Sequence, residues 1–228
     1  MNPNLQPVRV IDAFFYHPQM QLPPSELQRF FGGIDIYLFD QLLKGRLTPG
    51  MRILDAGCGS GRNLPYFLRH GFDVCAVDAD AGALEQVRGL AAELAPELPS
   101  ANFRVEALEA LSFGDRDFDA VIASAVLHFA RDQGHFEAMA HELWRVLRPG
   151  GLFFARLASS IGLESRLRPL GNGRHHLPDG SDRFLVDEAA LAALATALGG
   201  TALEPLKTVN VENLRCMSTW CLRKDARA

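Results

Sequence analysis

Apolar residues along the chain follow two alternating rhythms. Short, nearly continuous apolar runs bounded by turn formers cover Met51–Asp55, Asp73–Val77, Asn102–Glu106, Phe118–Ala123 and Leu152–Leu157. Runs of this length read as strands buried on both faces. Between them, apolar positions recur every three or four residues. Leu84, Val87, Ala91 and Leu94 share one side of a helix over Ala81–Leu94, as do Phe136, Met139, Leu143 and Val146 over Gln133–Leu147. The same spacing predicts helices over Ile34–Gly45, Arg62–Arg69 and Asp187–Leu198, and Pro23-Pro24-Ser25 opens an earlier one. Pro49-Gly50, His70-Gly71, Arg148-Pro-Gly-Gly151 and Gly199-Gly200 punctuate these elements. Two further strands are expected over Thr201–Val211 and Arg215–Leu222. Strands alternating with helices predict an α/β fold, a mostly parallel sheet covered by helices on both faces.

One stretch breaks the pattern. Ala158–Asp182 is rich in glycine, proline and serine and shows little periodicity. A connection this long reads as an irregular lid or functional loop. The chain is therefore expected to form a single domain, without internal repeats. It divides into a helical cap (1–48), a core (49–157), the irregular segment (158–185) and a C-terminal helix with strands (186–228).

Composition narrows the class. The chain has 228 residues, of which 48% are hydrophobic, with a formal net charge of −4. That balance suits one globular domain and offers no broad attraction to nucleic acid or anionic lipid. No run approaches the roughly 20 apolar residues needed to span a bilayer, and MNPNLQPVRVIDAFF lacks the pattern of a secretory signal. The expected setting is the cytoplasm, with no membrane or nucleic-acid partner, as a monomer or homodimer. Cys58, Cys75, Cys216 and Cys221 form no CxxC pair or zinc-ligand spacing. His175-His176 lacks a third ligand nearby and reads as an exposed turn, so no metal is expected.

Candidate chemistry concentrates in Ile53–Asn63, ILDAGCGSGRN. Gly57, Gly59 and Gly61 lie between a strand and a helix, where glycine permits positive φ and close ligand approach. The helix start offers unpaired N–H groups. Asp78 ends the next strand, where a βαβ unit places an acceptor for ribose hydroxyls. The bland alternative is a flexible turn with a solvated Asp. The dinucleotide fingerprint has two residues between its second and third glycines, whereas only Ser60 separates Gly59 from Gly61. Asp55, just before the loop, disfavours a pyrophosphate and suits a ligand carrying positive charge. S-adenosylmethionine (SAM), with its ammonium and sulfonium, fits that description.

At these residues the sequence resembles the class I SAM-dependent methyltransferase superfamily. LDAGCGSGRN, VDAD, FDAVIASAVLHF and LWRVLRPGG carry the likeness, strongest over Met51–Leu157. The resemblance implies a Rossmann-like, seven-stranded sheet with an antiparallel C-terminal strand. It implies that Asp55, Gly57, Cys58 and Gly59 line the methionine part of SAM, and that Asp78 holds the ribose hydroxyls. Ala79 then borders the adenine and Leu108 offers it a backbone amide, with Ala107 in place of an acidic residue common there. Ser124 approaches the methionine part by its backbone. S-adenosylhomocysteine (SAH) is the implied product.

The acceptor is less legible. SAVLHF lacks the Asn/Asp-Pro-Pro-aromatic motif of amino-directed nucleic-acid methyltransferases, and neither a Pro-Cys nucleophile nor a catechol-type acidic metal cluster is present. A small-molecule acceptor remains. The GCGSGRN loop also resembles that of tellurite-resistance methyltransferases, which adds metalloids and thiols. His128 is the candidate base, with packing against SAM or capping of the next helix as its alternative. Tyr16, Tyr37 and Arg156 are candidate acceptor contacts. Arg156 belongs with Arg166, Arg168, Arg174 and Arg183, a set suited either to an anion or to surface ion pairs. A non-catalytic SAM-binding protein and an NAD-dependent oxidoreductase are the competing readings.

Overall fold

The structure is a computed structural model that describes residues 24–226. Tyr16 lies outside the described residues. Two helices precede the sheet, α1 (Pro24–Phe31) and α2 (Ile36–Leu43). The core then runs β1 (Arg52–Ala56), α3 (Leu64–Arg69), β2 (Asp73–Asp78), α4 (Ala81–Leu94), β3 (Phe103–Val105), β4 (Phe118–Ser124), α5 (Gln133–Val146) and β5 (Leu147–Ala158). β6 (Arg168–Gly171), β7 (Arg174–His176) and β8 (Asp182–Phe184) follow, then α6 (Glu188–Leu198), β9 (Gly200–Ala202), β10 (Lys207–Val211) and β11 (Arg215–Lys224).

The main sheet has the order β10-β11-β5-β4-β1-β2-β3, with β9 also paired to β11. β3, β2, β1, β4 and β5 run parallel, while β11 is antiparallel to β5, β9 and β10. The parallel strands are apolar on both faces because alternate residues enter different cores. Leu54, Val77, Val121 and Phe153 pack with α5 and α6. Ile53, Val74, Ile122 and Phe154 pack with α3 and α4. Chain order reverses between β1 and β4, which opens a crevice at their carboxyl ends, where open α/β sheets bind ligands.

Two expectations need correction. The sheet has eight strands rather than seven, because Thr201–Val211 is not one strand. It breaks between β9 and β10 at Leu203–Leu206, where Pro205 has no N–H for a ladder. Much of the segment expected to be irregular, 158–185, instead forms a three-stranded antiparallel sheet, β6-β7-β8. Gly171, Asn172 and Gly173 all take positive φ and turn β6 into β7. Phe184 stacks on Phe136 of α5 at 5.0 Å between ring centres, tying this small sheet to the core. His175 and His176 therefore lie in β7 rather than a turn, and His176 pairs with Asp182. No helix among the described residues is long and apolar enough to cross a membrane.

Candidate active site

The glycine loop leaves β1 at the crevice. Gly57 and Cys58 both donate backbone N–H bonds to the Val77 carbonyl, at 2.8 and 3.1 Å, which clamps the loop to β2. Gly57, Gly59 and Gly61 have φ of 71°, 52° and 82°, in the left-handed region that glycine alone adopts freely. At Gly57 a Cβ would also lie 2.3 Å from Val126 Cγ2, whereas at Gly59 it would meet nothing within 4 Å. The loop is thus tight on its Val126 side and open around Gly59.

Asp78 ends β2 beside this opening. Its Oδ2 accepts from Gly59 N at 2.8 Å and its Oδ1 from Asp80 N at 2.9 Å. Asp80 caps α4 through the N–H groups of Gly82 and Ala83, which fixes the turn after β2 and leaves Ala79 exposed. Glu106 N donates to the Asp78 carbonyl and so brings the Leu108 segment next to the same strand end, with the Leu108 side chain buried in the core. Cys58 is buried, and desolvation pushes its thiol well above the ordinary range, a packing residue rather than a nucleophile.

Asp55 is the anomaly of this half. It is 1% exposed, and neither carboxylate oxygen meets a hydrogen-bond partner of ordinary geometry. Burial raises its pKa to about 7; the Arg62 charge and the neighbouring Asn63 side chain lower it, and the Asp78 charge raises it. A buried carboxylate without donors is costly unless something brings it a hydrogen bond or a positive charge.

Across the crevice, Asp35 takes the opposite position. Its side chain is wholly buried and caps α2 by accepting from Tyr37 N at 2.9 Å. Asp35 Oδ2 also accepts from Arg156 Nη1 at 2.8 Å and Ser124 Oγ at 3.4 Å, and lies 3.5 Å from Arg62 Nη2. Arg62 in turn donates to Ser124 Oγ at 2.9 Å. The guanidinium of Arg156 sits over the Tyr37 ring at 5.3 Å. This network seats the segment before α2 on the ends of β4 and β5.

A cavity of about 290 Å³ opens next to it, lined by Arg62, Ala125, His128, Arg156, Arg183 and Arg215 among others. Ala125 has φ 64°, strained for a residue with a Cβ, and its N–H bonds the Arg156 carbonyl at 2.7 Å. His128 Nδ1 accepts from Ala158 N at 3.2 Å, so the neutral ring carries its proton on Nε2. Burial, then the charges of Arg183 and Arg215, lower its pKa to about 4. A larger cavity, about 350 Å³, lies at the other end of the sheet by Met51, Asp119 and Gly151, where these strands begin, and touches none of this chemistry.

The structure therefore gathers Asp55, Gly57, Cys58, Gly59, Asp78, Ser124, His128 and Arg156 around one crevice. Tyr37 reaches it only beneath Arg156 and does not line the cavity. Asp35, Arg62 and Arg215 escaped sequence reasoning. Asp35 carries one legible signal, an acidic residue directly before the apolar run of α2; Arg62 directly follows the third glycine.

The sheet order and the crevice are those of a Rossmann-like nucleotide-binding fold. Residues 53–151 match the family model described as "Methyltransferase domain". The chain is 32% identical over 170 residues to malonyl-[acyl-carrier protein] O-methyltransferase of Enterobacter lignolyticus, covering 73% of this chain and 61% of the relative. Among solved structures it resembles a SAM-dependent methyltransferase of Methanosarcina mazei, with TM-score 0.66, 22% identity and coverage of 81% of this chain and 97% of that one. It also resembles 1,6-didemethyltoxoflavin-N1-methyltransferase of Burkholderia thailandensis, solved with bound 1,6-didemethyltoxoflavin and SAH, with TM-score 0.63, 23% identity and coverage of 82% and 76%. Residues 53–151 thus match a methyltransferase domain, and the chain shares its fold with solved SAM-dependent methyltransferases. It spans about half the length of the curated relatives it matches, 41% to 64% for five of them.

Proposed function

We propose that the chain binds SAM in the crevice and transfers its methyl group to a small-molecule acceptor held in the adjoining cavity. The observation that carries this reading is Asp55, a buried carboxylate with no hydrogen bond of ordinary geometry and only the Asn63 side chain as a nearby donor, set directly before an open glycine loop. A ligand bearing an ammonium group satisfies it. A pyrophosphate worsens it, which weighs against a nicotinamide dinucleotide.

The bound cofactor supplies the reactivity, an electrophilic methyl on a sulfonium. The protein supplies position and dryness. Gly57 and Gly59 give backbone access, Asp78 accepts from ribose hydroxyls, and Leu108 and Ala79 border the base. Ser124 and Ala125, at the carboxyl end of β4, separate donor from acceptor. Holding the reactants in line converts an encounter into an intramolecular step. A relative named as a ubiquinone biosynthesis O-methyltransferase and a neighbour named as 1,6-didemethyltoxoflavin-N1-methyltransferase support a small acceptor.

Calorimetry with SAM, SAH and NAD tests the donor assignment. Binding of SAM and SAH without NAD is expected; NAD binding without SAM overturns it. Formation of SAH with an acceptor separates an enzyme from a non-catalytic SAM-binding protein.

A further inference from the structure

The cavity beside the crevice is unusual in its charge. Four guanidiniums line it, from Arg62, Arg156, Arg183 and Arg215. Two carboxylates answer them. Asp35 serves Arg62 and Arg156, and Asp179 lies 3.9 Å from Arg215, while Arg183 forms no ion pair among the described residues. The walls therefore carry two positive charges in excess. These arginines come from the glycine loop, β5, β8 and β11, so the excess is built by the tertiary fold and not by one basic run. Guanidinium forks match carboxylate geometry, and a partly enclosed site strengthens the match.

The same walls hold only a weak proton acceptor. His128 has its Nδ1 occupied by the Ala158 N–H and presents a donor, Nε2–H. Asp179 is the other titratable group lining the cavity besides the arginines. Burial alone would raise its pKa, but the Ser181 hydrogen bonds and the Arg215 and Arg183 charges hold it below the usual carboxylate range. An acceptor that must lose a proton to react finds only this weakened carboxylate among the described residues that line the cavity. An acceptor that arrives already deprotonated needs no base.

We infer that the cavity takes a small carboxylic acid as its anion and that the methyl group goes to a carboxylate oxygen. This rests on the reading of the chain as a SAM-dependent methyltransferase. The attacking oxygen uses a lone pair to form the new C–O bond while the methyl carbon–sulfur bond breaks and its electron pair stays on sulfur. The sulfonium becomes a neutral thioether, the carboxylate a neutral methyl ester, and no proton moves. Arg183 and Arg215 draw the anion in, and His128 Nε2–H donates to the oxygen that is not methylated. His128 is then a hydrogen-bond donor rather than the general base expected from its position in the sequence.

The test begins by titrating the full chain with SAH. The SAH complex is then titrated with benzoate, succinate and octanoate and with the corresponding amides. At least one carboxylate is expected to bind ten-fold or more tightly than its amide. That preference should fall about ten-fold in Arg183→Gln and Arg215→Gln and recover in Arg215→Lys, with SAH affinity unchanged throughout. Methyl-labelled SAM incubated with the preferred acid should give a product that releases labelled methanol in mild alkali. If SAH binds and no carboxylate is preferred, or the label is stable to alkali, the inference is overturned while the methyl-donor assignment stands. If SAH does not bind, both fall.

Discussion

The proposed donor half of the crevice is acidic and the proposed acceptor half is basic, although they share the ends of β1 and β4. On the proposed donor side, Asp55 and Asp78 stand about a glycine loop, and Asp55 is buried without a hydrogen bond of ordinary geometry. On the acceptor side, Arg62, Arg156, Arg183 and Arg215 surround a cavity with half as many carboxylates paired to them. On the proposed reading, a cationic donor and an anionic acceptor approach each other favourably, and both lose charge as the methyl passes. A partly enclosed site that holds opposite charges apart until transfer aligns electrostatics with chemistry. The difference also separates two kinds of information. The donor half comes from a contiguous β1–loop–β2 segment, the acceptor half from side chains scattered along the chain.

The sharpest way to break the donor half is Gly57→Ala. It combines a φ of 71° with a Cβ 2.3 Å from Val126 Cγ2. Strain and overpacking together should destabilise the protein by about 2–5 kcal/mol, measured by urea denaturation, and abolish SAH binding. Wild-type SAH affinity in that variant would show that the loop does not cradle the donor. Asp35→Asn strikes the opposite half. It leaves Arg156 without its closest ionic partner at a buried site and should cost about 3 kcal/mol. An unchanged unfolding midpoint would mean that the network does not seat the cap.

Asp78→Ala is smaller and more selective. Removing an acceptor of ribose hydroxyls should weaken SAM by about 1.5–3 kcal/mol in calorimetry. An intact fold with unchanged affinity would remove the ribose assignment. Asp55→Asn is the finest probe, read through pH. The folded-state pKa of Asp55 is raised to about 7, so its contribution to stability is present below its unfolded value near 4 and lost as pH rises through 7. Relative to the parent, Asp55→Asn should gain stability between pH 4 and 8. An ammonium arriving at Asp55 should also expel a proton, so SAM binding to the parent near pH 7 should show an enthalpy that depends on the buffer. A pH-independent difference in stability between the two proteins would show that Asp55 does not titrate there.

Most of the donor half was legible in the sequence because its determinants are local. Three glycines, a preceding Asp and a strand-ending Asp lie close along the chain, and their spacing alone distinguishes this loop from the dinucleotide fingerprint. The parallel strands were legible because burial on both faces forces continuous apolar runs. The segment 158–185 was not, because β6 is fully exposed and β7 has no buried residue, so neither carries an inward apolar alternation. Its strands are set by glycine turns and by Phe184 reaching α5. Nor could His128 be assigned a tautomer from its position after β4. That depends on the Ala158 N–H, brought near by the pairing of β5 with β4. Arg215 lacked any motif to mark it, since only the antiparallel return of β11 beside β5 carries it to the cavity.

The ion pair between Asp35 and Arg156 bridges 121 positions, whereas the bond from Gly59 to Asp78 bridges 19. This disparity sets a schedule as well as a shape. Long-range closures carry the larger entropic penalty and form late. During synthesis the residues of the donor pocket are available once β2 and the Leu108 segment have been made, while the acceptor cavity must wait for Arg215. Specificity for the acceptor is then the last property the folding chain acquires, and by the same ordering the first to be lost when the native structure begins to open.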